Sequence, residues 1–227
     1  MPAFDLMRKW SKPQSFRSQA ISGTFTLTEN EMSKRFTGTI ALEDEAWQVG
    51  VIVGRSGTGK TSIAKELWPA EYIKGFQYTS ESVLDDFPPE LSTADITKAL
   101  CSVGFASPPD WLKPYENLSQ GEKMRVDIAR ALVLEQPLIV FDEFTSVVDR
   151  EIAKISALAI SKAIRKSQKK FIAVTCHYDV LDWLEPDWVF CTDDMTFDKK
   201  KESIPHFLSS SRPASLKYGD CLGTITI

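Results

Sequence analysis

Val49-Gly50-Val51-Ile52-Val53 runs straight into Gly54-Arg55-Ser56-Gly57-Thr58-Gly59-Lys60-Thr61, and that stretch into Ser62-Ile63-Ala64-Lys65-Glu66-Leu67-Trp68. An apolar run, a glycine-rich turn and a helix-forming segment are the context in which G-x-x-x-x-G-K-[ST] has a mechanism. Glycines let backbone N–H groups converge on a phosphate chain with no side chain in the way. The helix that follows directs its positive N-terminal end at the same anion. Lys60 then reaches the terminal phosphates as a point charge, and the Thr61 hydroxyl is a ligand for Mg²⁺. A glycine-rich β-to-α turn with an incidental lysine is the plainer alternative, and the flanking strand and helix disfavour it. The stretch predicts a nucleotide-phosphate site.

Further along, Pro137-Leu138-Ile139-Val140-Phe141-Asp142-Glu143 reads as a buried parallel strand that carries two carboxylates to its C-terminal edge, where α/β folds bind ligands. Asp142 is placed to hold Mg²⁺ and Glu143 to polarise an attacking water. Adjacent carboxylates repel unless a cation lies near, which argues against a simple strand-end cap. A second apolar run, Phe171 to Thr175, leads to Cys176-His177. His177 could sense a γ-phosphate there, although a lone histidine at a strand end is more often structural. Between these, Ser119 and Glu122 form a capping box ahead of a helical apolar pattern at Val126, Ala129 and Val133. That stretch is either a well-capped helix or, with Ser119 and Gly121 at the helix start, an anion site.

The remaining segments predict the frame. Residues 16–53 alternate as strands over Ser15 to Leu27, Lys34 to Leu42 and Trp47 to Val53, an antiparallel sheet feeding the core. Turns at Thr28–Glu31 and Glu43–Glu45 separate them. Phe16, Phe25 and Phe36 are candidates to stack on adenine, against the commoner role of a strand Phe as core. Tyr72 to Tyr78 reads as another strand. Prolines at 88–89, 108–109 and 114 surround one short helix, Thr93 to Val103, a helical insertion of about 79–117. After Asp149 a helix places Ile152, Ile155, Ala159 and Ala163 on one face, and Trp188 to Thr192 closes the sheet.

At 227 residues the chain suits one sizeable core. No apolar run approaches a bilayer span, and Met1 to Arg17 has no signal-like core. Cys101, Cys176, Cys191 and Cys221 are widely spaced, which fits a reducing cytoplasm better than zinc or a disulfide scaffold. A net charge of −4 gives no global footprint for nucleic acid.

Taken together and in order, the loop at 54–61, Leu118-Ser119-Gln120-Gly121-Glu122, the strand ending in Asp142-Glu143, Ser146-Val147-Val148-Asp149 and His177 resemble the ABC-type ATPases across about residues 16–195. The resemblance implies an α/β P-loop NTPase core with a mainly parallel sheet, an N-terminal antiparallel β-subdomain and a short helical subdomain. It makes Gly54 to Thr61 the Walker A loop, with Ser62 beside it at the nucleotide. Leu118 to Glu122 becomes the signature, with Ser119 and Gly121 facing phosphate. Asp142 is the Walker B aspartate and Glu143 the catalytic base. Lys60 and His177 are the other catalytic groups, Asp149 is the D-loop aspartate, and Gln77 is the Q-loop glutamine, a third metal ligand after Thr61 and Asp142. ATP and Mg²⁺ are the implied cofactors. The implied assembly is a head-to-tail homodimer, acting with a nucleic-acid or protein effector or with a separate transmembrane subunit. Gln120, Glu122 and Phe144 depart from the usual residues, and Gln77 follows Walker A unusually closely. A looser likeness extends to soluble ATPases of phages and mobile elements. Residues 1–198 read as the ATPase domain and 199–227 as a tail.

Overall fold

In the computed structural model the residues described are 3–9, 15–25, 33–42 and 46–199. The two turns at 28–31 and 43–45, Cys221 and the tail beyond Lys199 lie outside them. A five-stranded sheet forms the core, built from β3 (Val49–Val53), β4 (Leu138–Phe141), β5 (Lys170–Thr175), β6 (Trp188–Cys191) and β7 (Thr196–Lys199). Its order is β4-β5-β3-β6-β7. The first four strands are parallel and β7 returns antiparallel to β6. All five residues of β3 are buried, as are Phe171 to Thr175 of β5. Strands covered on both faces read as continuous apolar runs, which is why they stand out in the sequence.

A separate two-stranded ribbon pairs β1 (Ala3–Lys9) with β2 (Ser33–Thr39), with Leu6 opposite Phe36 and Arg8 opposite Lys34. Helix α2 (Lys60–Leu67) follows the glycine-rich turn. The insertion holds α3 (Thr93–Ser102), the short α4 (Pro108–Trp111) and two 3₁₀ turns. Helix α5 (Gln120–Val133) buries Met124, Val126, Ile128, Ala129 and Ala131 against the sheet and insertion. Two further helices, α6 (Arg150–Arg165) and α7 (Val180–Leu184), flank β5. Among the described residues no helix is long and apolar enough to cross a membrane, and Cys101, Cys176 and Cys191 are free thiols.

Two expectations need correction. Phe16–Thr24 is a helix, α1, not part of a strand over Ser15 to Leu27. Ser15 caps it by accepting the Ser18 N–H at 3.3 Å. It buries only Ser22, so its Phe and Ile fit no sheet face, and the local cap decides the conformation. Tyr72 to Tyr78 is not a strand: it makes a single parallel bridge, Tyr72 to Val140. Gly75 then turns left-handed at φ 101°. Beyond it the Tyr78 and Tyr115 rings stack at 3.7 Å, and both hydroxyls donate to the half-buried Asp127 carboxylate of α5. Those aromatic and polar contacts draw the segment off the sheet edge. On α6, the buried face is Ala153, Ser156, Ala157, Ile160, Ser161 and Ile164, so Ile152 and Ile155 point outward. Ile160 and Ile164 are fully buried on that face, while Ile152, Ile155 and Leu158 stay exposed.

Trp188 is the largest fully buried side chain, met edge-on by Trp47 at 5.5 Å and stacked on by Trp68 at 6.4 Å. It lies opposite Gly50 on the neighbouring strand, where an added Cβ would come 2.1 Å from the indole. Gly50 is therefore kept small by a ring and not by its backbone angles. Gly50→Ala is expected to cost about 1–3 kcal/mol through overpacking, read as a lower urea midpoint at constant slope. An unchanged midpoint would show that Trp188 can yield.

Candidate active site

Because β3, β4, β5 and β6 are parallel, their C-terminal ends share one edge of the sheet. That edge receives Gly54 after Val53, Asp142-Glu143 after Phe141, Cys176-His177 after Thr175, and Thr192-Asp193 after Cys191. The Gly54–Lys60 turn lies there with Gly59 as the N-cap of α2. Gly59 has φ 94°, and a Cβ on it would meet the Phe36 ring at 2.7 Å, so both conformation and space require glycine. Phe36 is itself buried against this glycine, while Phe16 and Phe25 are largely exposed on α1. A cleft of about 330 Å³ is walled by Ser56, Gly57, Gly59, Lys60, Thr61 and Ser62, by Glu143 from β4, and by Arg8, Lys34 and Phe36 from the ribbon.

The loop is braced from several directions. Lys60 Nζ donates to the Gly54 and Arg55 carbonyls at 2.7 and 2.8 Å. Thr58 Oγ1 lies 2.6 Å from Thr192 Oγ1, which also donates to the Val53 carbonyl. The Asp193 carboxylate accepts the Arg55 N–H at 3.0 Å and the Tyr178 hydroxyl. Local patterns could not find Thr192 and Asp193, because the chain brings them back about 135 residues later.

Asp142 is oriented by two donors. Its Oδ1 accepts the Glu143 N–H at 2.9 Å, and its Oδ2 accepts the Tyr72 hydroxyl at 2.6 Å. Burial and these acids push the Tyr72 phenol pKa up, so it stays a donor. Tyr72 has no motif to announce it; its single bridge to Val140 puts it beside β4. Glu143 and Thr145 adopt left-handed φ of 54° and 63° around the fully buried Phe144. Such conformations cost on the order of 1–3 kcal/mol each and persist where surroundings over-determine them. Phe144 packs edge-on against Phe141 and Phe171, and its N–H donates to the Val174 carbonyl. Phe144 thus anchors the turn that presents Glu143.

Gln77 and the Ser119 turn lie apart from this cleft. The Gln77 carbonyl accepts Arg130 Nη1 at 2.8 Å, and the residue is exposed. Neither Gln77, Ser119 nor Gly121 is among the cleft's lining residues. Ser119 and Glu122 make the complete capping box at the start of α5. Asp149 is the N-cap of α6, accepting the Glu151 N–H at 2.9 Å.

His177 is partly buried and its N–H donates to Thr175 Oγ1 at 3.1 Å. Burial and then the Arg150 charge lower its pKa from the usual 6.5, only partly opposed by Asp179 and Glu143. The unfolded chain therefore takes up this proton at higher pH than the folded one. The associated stability is complete above 6.5 and declines as pH falls toward the folded value. In an NMR titration of the folded protein, the His177 imidazole is expected to titrate below the 6.5 of a free histidine. A midpoint at or above 6.5 would mean that neighbouring carboxylates outweigh burial.

Residues 76–146 match the ABC transporter family. The chain is 28% identical over 175 residues to the energy-coupling factor transporter ATP-binding protein EcfA1 of Mycoplasmopsis synoviae, covering 61% of this chain and 65% of that protein. It is 39% identical over 74 residues to EcfA1 of Mycoplasmopsis pulmonis, covering 32% of this chain and 27% of that protein. In both cases the match spans less than two thirds of the relative. Among solved structures, the dimeric post-hydrolysis state of the ATP-binding cassette MJ0796, bound to ADP and Pi, superposes with a TM-score of 0.58. That likeness has 15% identity over 73% of this chain and 92% of the other, and it carries the fold alone. In sequence the chain resembles the ABC-type ATPases, and its fold is that of their cassettes.

Proposed function

We propose that this chain binds MgATP at the Gly54–Ser62 loop and hydrolyses it to ADP and phosphate, using Glu143 as the general base. The observation that carries the reading is Glu143 on the wall of the cleft that the phosphate loop forms. Lys60 holds the terminal phosphates once its ammonium leaves the Gly54 and Arg55 carbonyls. Thr61 and Asp142 are the residues that would hold Mg²⁺, whereas Gln77, expected as a further ligand, is exposed outside the cleft with its carbonyl on Arg130. Two hard oxygen donors fit that ion, which binds through one or two carboxylates together with substrate phosphates. Among the described residues no cluster of three or more His, Cys, Asp or Glu converges, so the phosphates and water would supply most of the ligands. Bound Mg²⁺ would supply charge neutralisation at the phosphates. Glu143 accepts the proton of the attacking water. His177, kept neutral by burial and Arg150, can accept or donate a hydrogen bond near the terminal phosphate.

The active unit in this reading is a head-to-tail homodimer in which Ser119 and Gly121 of one copy face the phosphate loop of the other. Support comes from the cleft, which lacks both residues within one chain. Further support comes from Val147, Ile152 and Ile155, exposed beside the signature turn. A Cβ on Gly121 would touch Val148 and Ile152 at 3.2 and 3.3 Å, so that apolar surface and the turn are contiguous.

For the work done, we favour a soluble, cytoplasmic mechanochemical or regulatory ATPase acting on nucleic acid or protein. The short connection between Walker A and the signature leaves little surface for a membrane partner to grip. The likeness to EcfA1 favours a second reading, the ATP-binding subunit of a membrane transporter. A membrane-protein gene beside this one would support the second.

Lys60→Ala is expected to abolish nucleotide binding, while Glu143→Gln keeps binding and lowers turnover by about 10²–10⁴-fold, the scale for a lost general base. Wild-type turnover in purified Glu143→Gln would remove Glu143 from that role.

The trans assignment of Ser119 is tested by mixing equal amounts of Lys60→Ala and Ser119→Arg, each inactive alone. In a heterodimer one site carries both lesions and the other neither. Random pairing makes half the dimers mixed, so activity should recover to roughly a quarter of wild type if sites fire independently. Nucleotide trapped per dimer, measured alongside, covers the case of coupled sites. Heterodimers seen in sedimentation with neither rate nor trapping restored would leave Ser119 as a helix cap.

A further inference from the structure

The ribbon places two cations where the phosphate-loop motif does not predict any. Alternation along β1 puts Phe4, Leu6 and Arg8 on one face, and along β2 it puts Lys34, Phe36 and Gly38 on the same face. The inner part of that face is apolar and fixed. Phe4 meets Phe190 edge-on at 5.8 Å, and Phe36 lies against Gly59. The outer part is Arg8 opposite Lys34, both on the wall of the phosphate-loop cleft.

Like charges directly opposite on one face of an antiparallel pair are destabilising. The other face of the ribbon avoids this, because Arg35 pairs with Asp5, its Nε donating to the carboxylate at 2.7 Å. On the cleft side, Lys34 Nζ donates to the Gly57 carbonyl at 2.6 Å and sits 5.2 Å from the centre of the Phe36 ring. With Lys60, three cations line the cleft against one carboxylate, Glu143. A polyanion between Arg8, Lys34 and Lys60 relieves their repulsion, whereas a neutral ligand does not.

We propose that Arg8 and Lys34 form a second cationic wall of the site, holding the phosphate chain of a bound nucleoside triphosphate from the ribbon side. This rests on the nucleotide-binding reading above. The ammonium over the Phe36 ring belongs to the same arrangement. It covers the aromatic face, so affinity at this end of the cleft comes from charge in place of stacking on Phe36.

Calorimetric titration with ATP and with inorganic tripolyphosphate, both in EDTA so that no turnover intervenes, tests the assignment. Arg8→Gln and Lys34→Gln should each weaken both ligands by about tenfold, the lower end for a lost hydrogen bond to a charged group. Lys34→Arg should retain most of the affinity. Arg35→Gln, on the opposite face, should leave it unchanged. The inference is overturned if Arg8→Gln and Lys34→Gln bind ATP like wild type while Lys60→Ala does not bind. It is also overturned if ATP weakens but tripolyphosphate does not, which would place the contact on the nucleoside. An equal loss in Arg35→Gln would reduce the effect to general surface charge and overturn it too. Should wild type and Lys60→Ala bind ATP equally, the nucleotide reading itself fails, and this inference with it.

Discussion

Phe171, Ile172, Ala173, Val174 and Thr175 of β5 are all buried, so this strand must be hydrogen-bonded along both edges and covered on both faces. Its register against β3 sets Val53 opposite Thr175, and against β4 it sets Phe141 opposite Ala173. One buried strand therefore aligns two others, and the loops leaving all three emerge at one edge. A slip by one residue would turn the side chains of β4 or β3 to the wrong face. It would also carry Asp142 or Gly54 away from its neighbours. Burial of apolar surface, worth about 1.5–3 kcal/mol for each large side chain, is in this sense what positions the carboxylates and the phosphate loop.

That alignment also supports local strain. Thr145 is β-branched, left-handed and fully buried, with its Oγ1 lacking a hydrogen-bond partner. Alone, such a residue would relax. Phe144, held by Phe141, Phe171 and the Val174 carbonyl, removes the freedom to do so. The turn leaves Glu143 exposed, with its N–H on Asp142 and its side chain on the cleft wall. The stiffness of the turn comes from the core, and the placement of the acid comes from the turn.

Legibility in the sequence followed the range of the interactions. The phosphate loop, the Ser119 cap and the apolar strands are written in adjacent residues, and they folded as their patterns predict. Where competing local signals existed, pattern alone misled. Ser15 through Phe25 alternates like a strand, yet a serine cap and poor sheet propensity make it α1. Tyr72 through Tyr78 is rich in β-formers, but Asp127 and Tyr115, far along the chain, claim Tyr78. On α6 the spacing of Ile152 and Ile155 shows that they share a face. Which face is buried depends on the elements packed against the helix, and the buried one carries Ala153, Ala157, Ile160 and Ile164. Tyr72, Thr192, Asp193, Arg8 and Lys34 carry no motif at all. Each reaches the site through strand order or register, which a single sequence does not display.

For the proposed nucleotide binding the consequence is preorganisation. Gly59 leaves no room for a side chain beside Phe36, Thr58 is tied to Thr192, and Asp193 holds the Arg55 N–H. Lys60 and Lys34 occupy the carbonyls of Gly54, Arg55 and Gly57. An arriving polyphosphate thus meets a loop that is already shaped, and it does not have to offset the cost of ordering that backbone. What it must do is draw the two ammonium groups from neutral carbonyls. Both sets of bonds have an ionised donor, so what favours the exchange is the added attraction between opposite charges, which a polyanion supplies and a neutral ligand does not. In the proposed reading, selectivity for multiply charged ligands follows from which carbonyls hold the lysines in the free chain, before any contact to a base is considered.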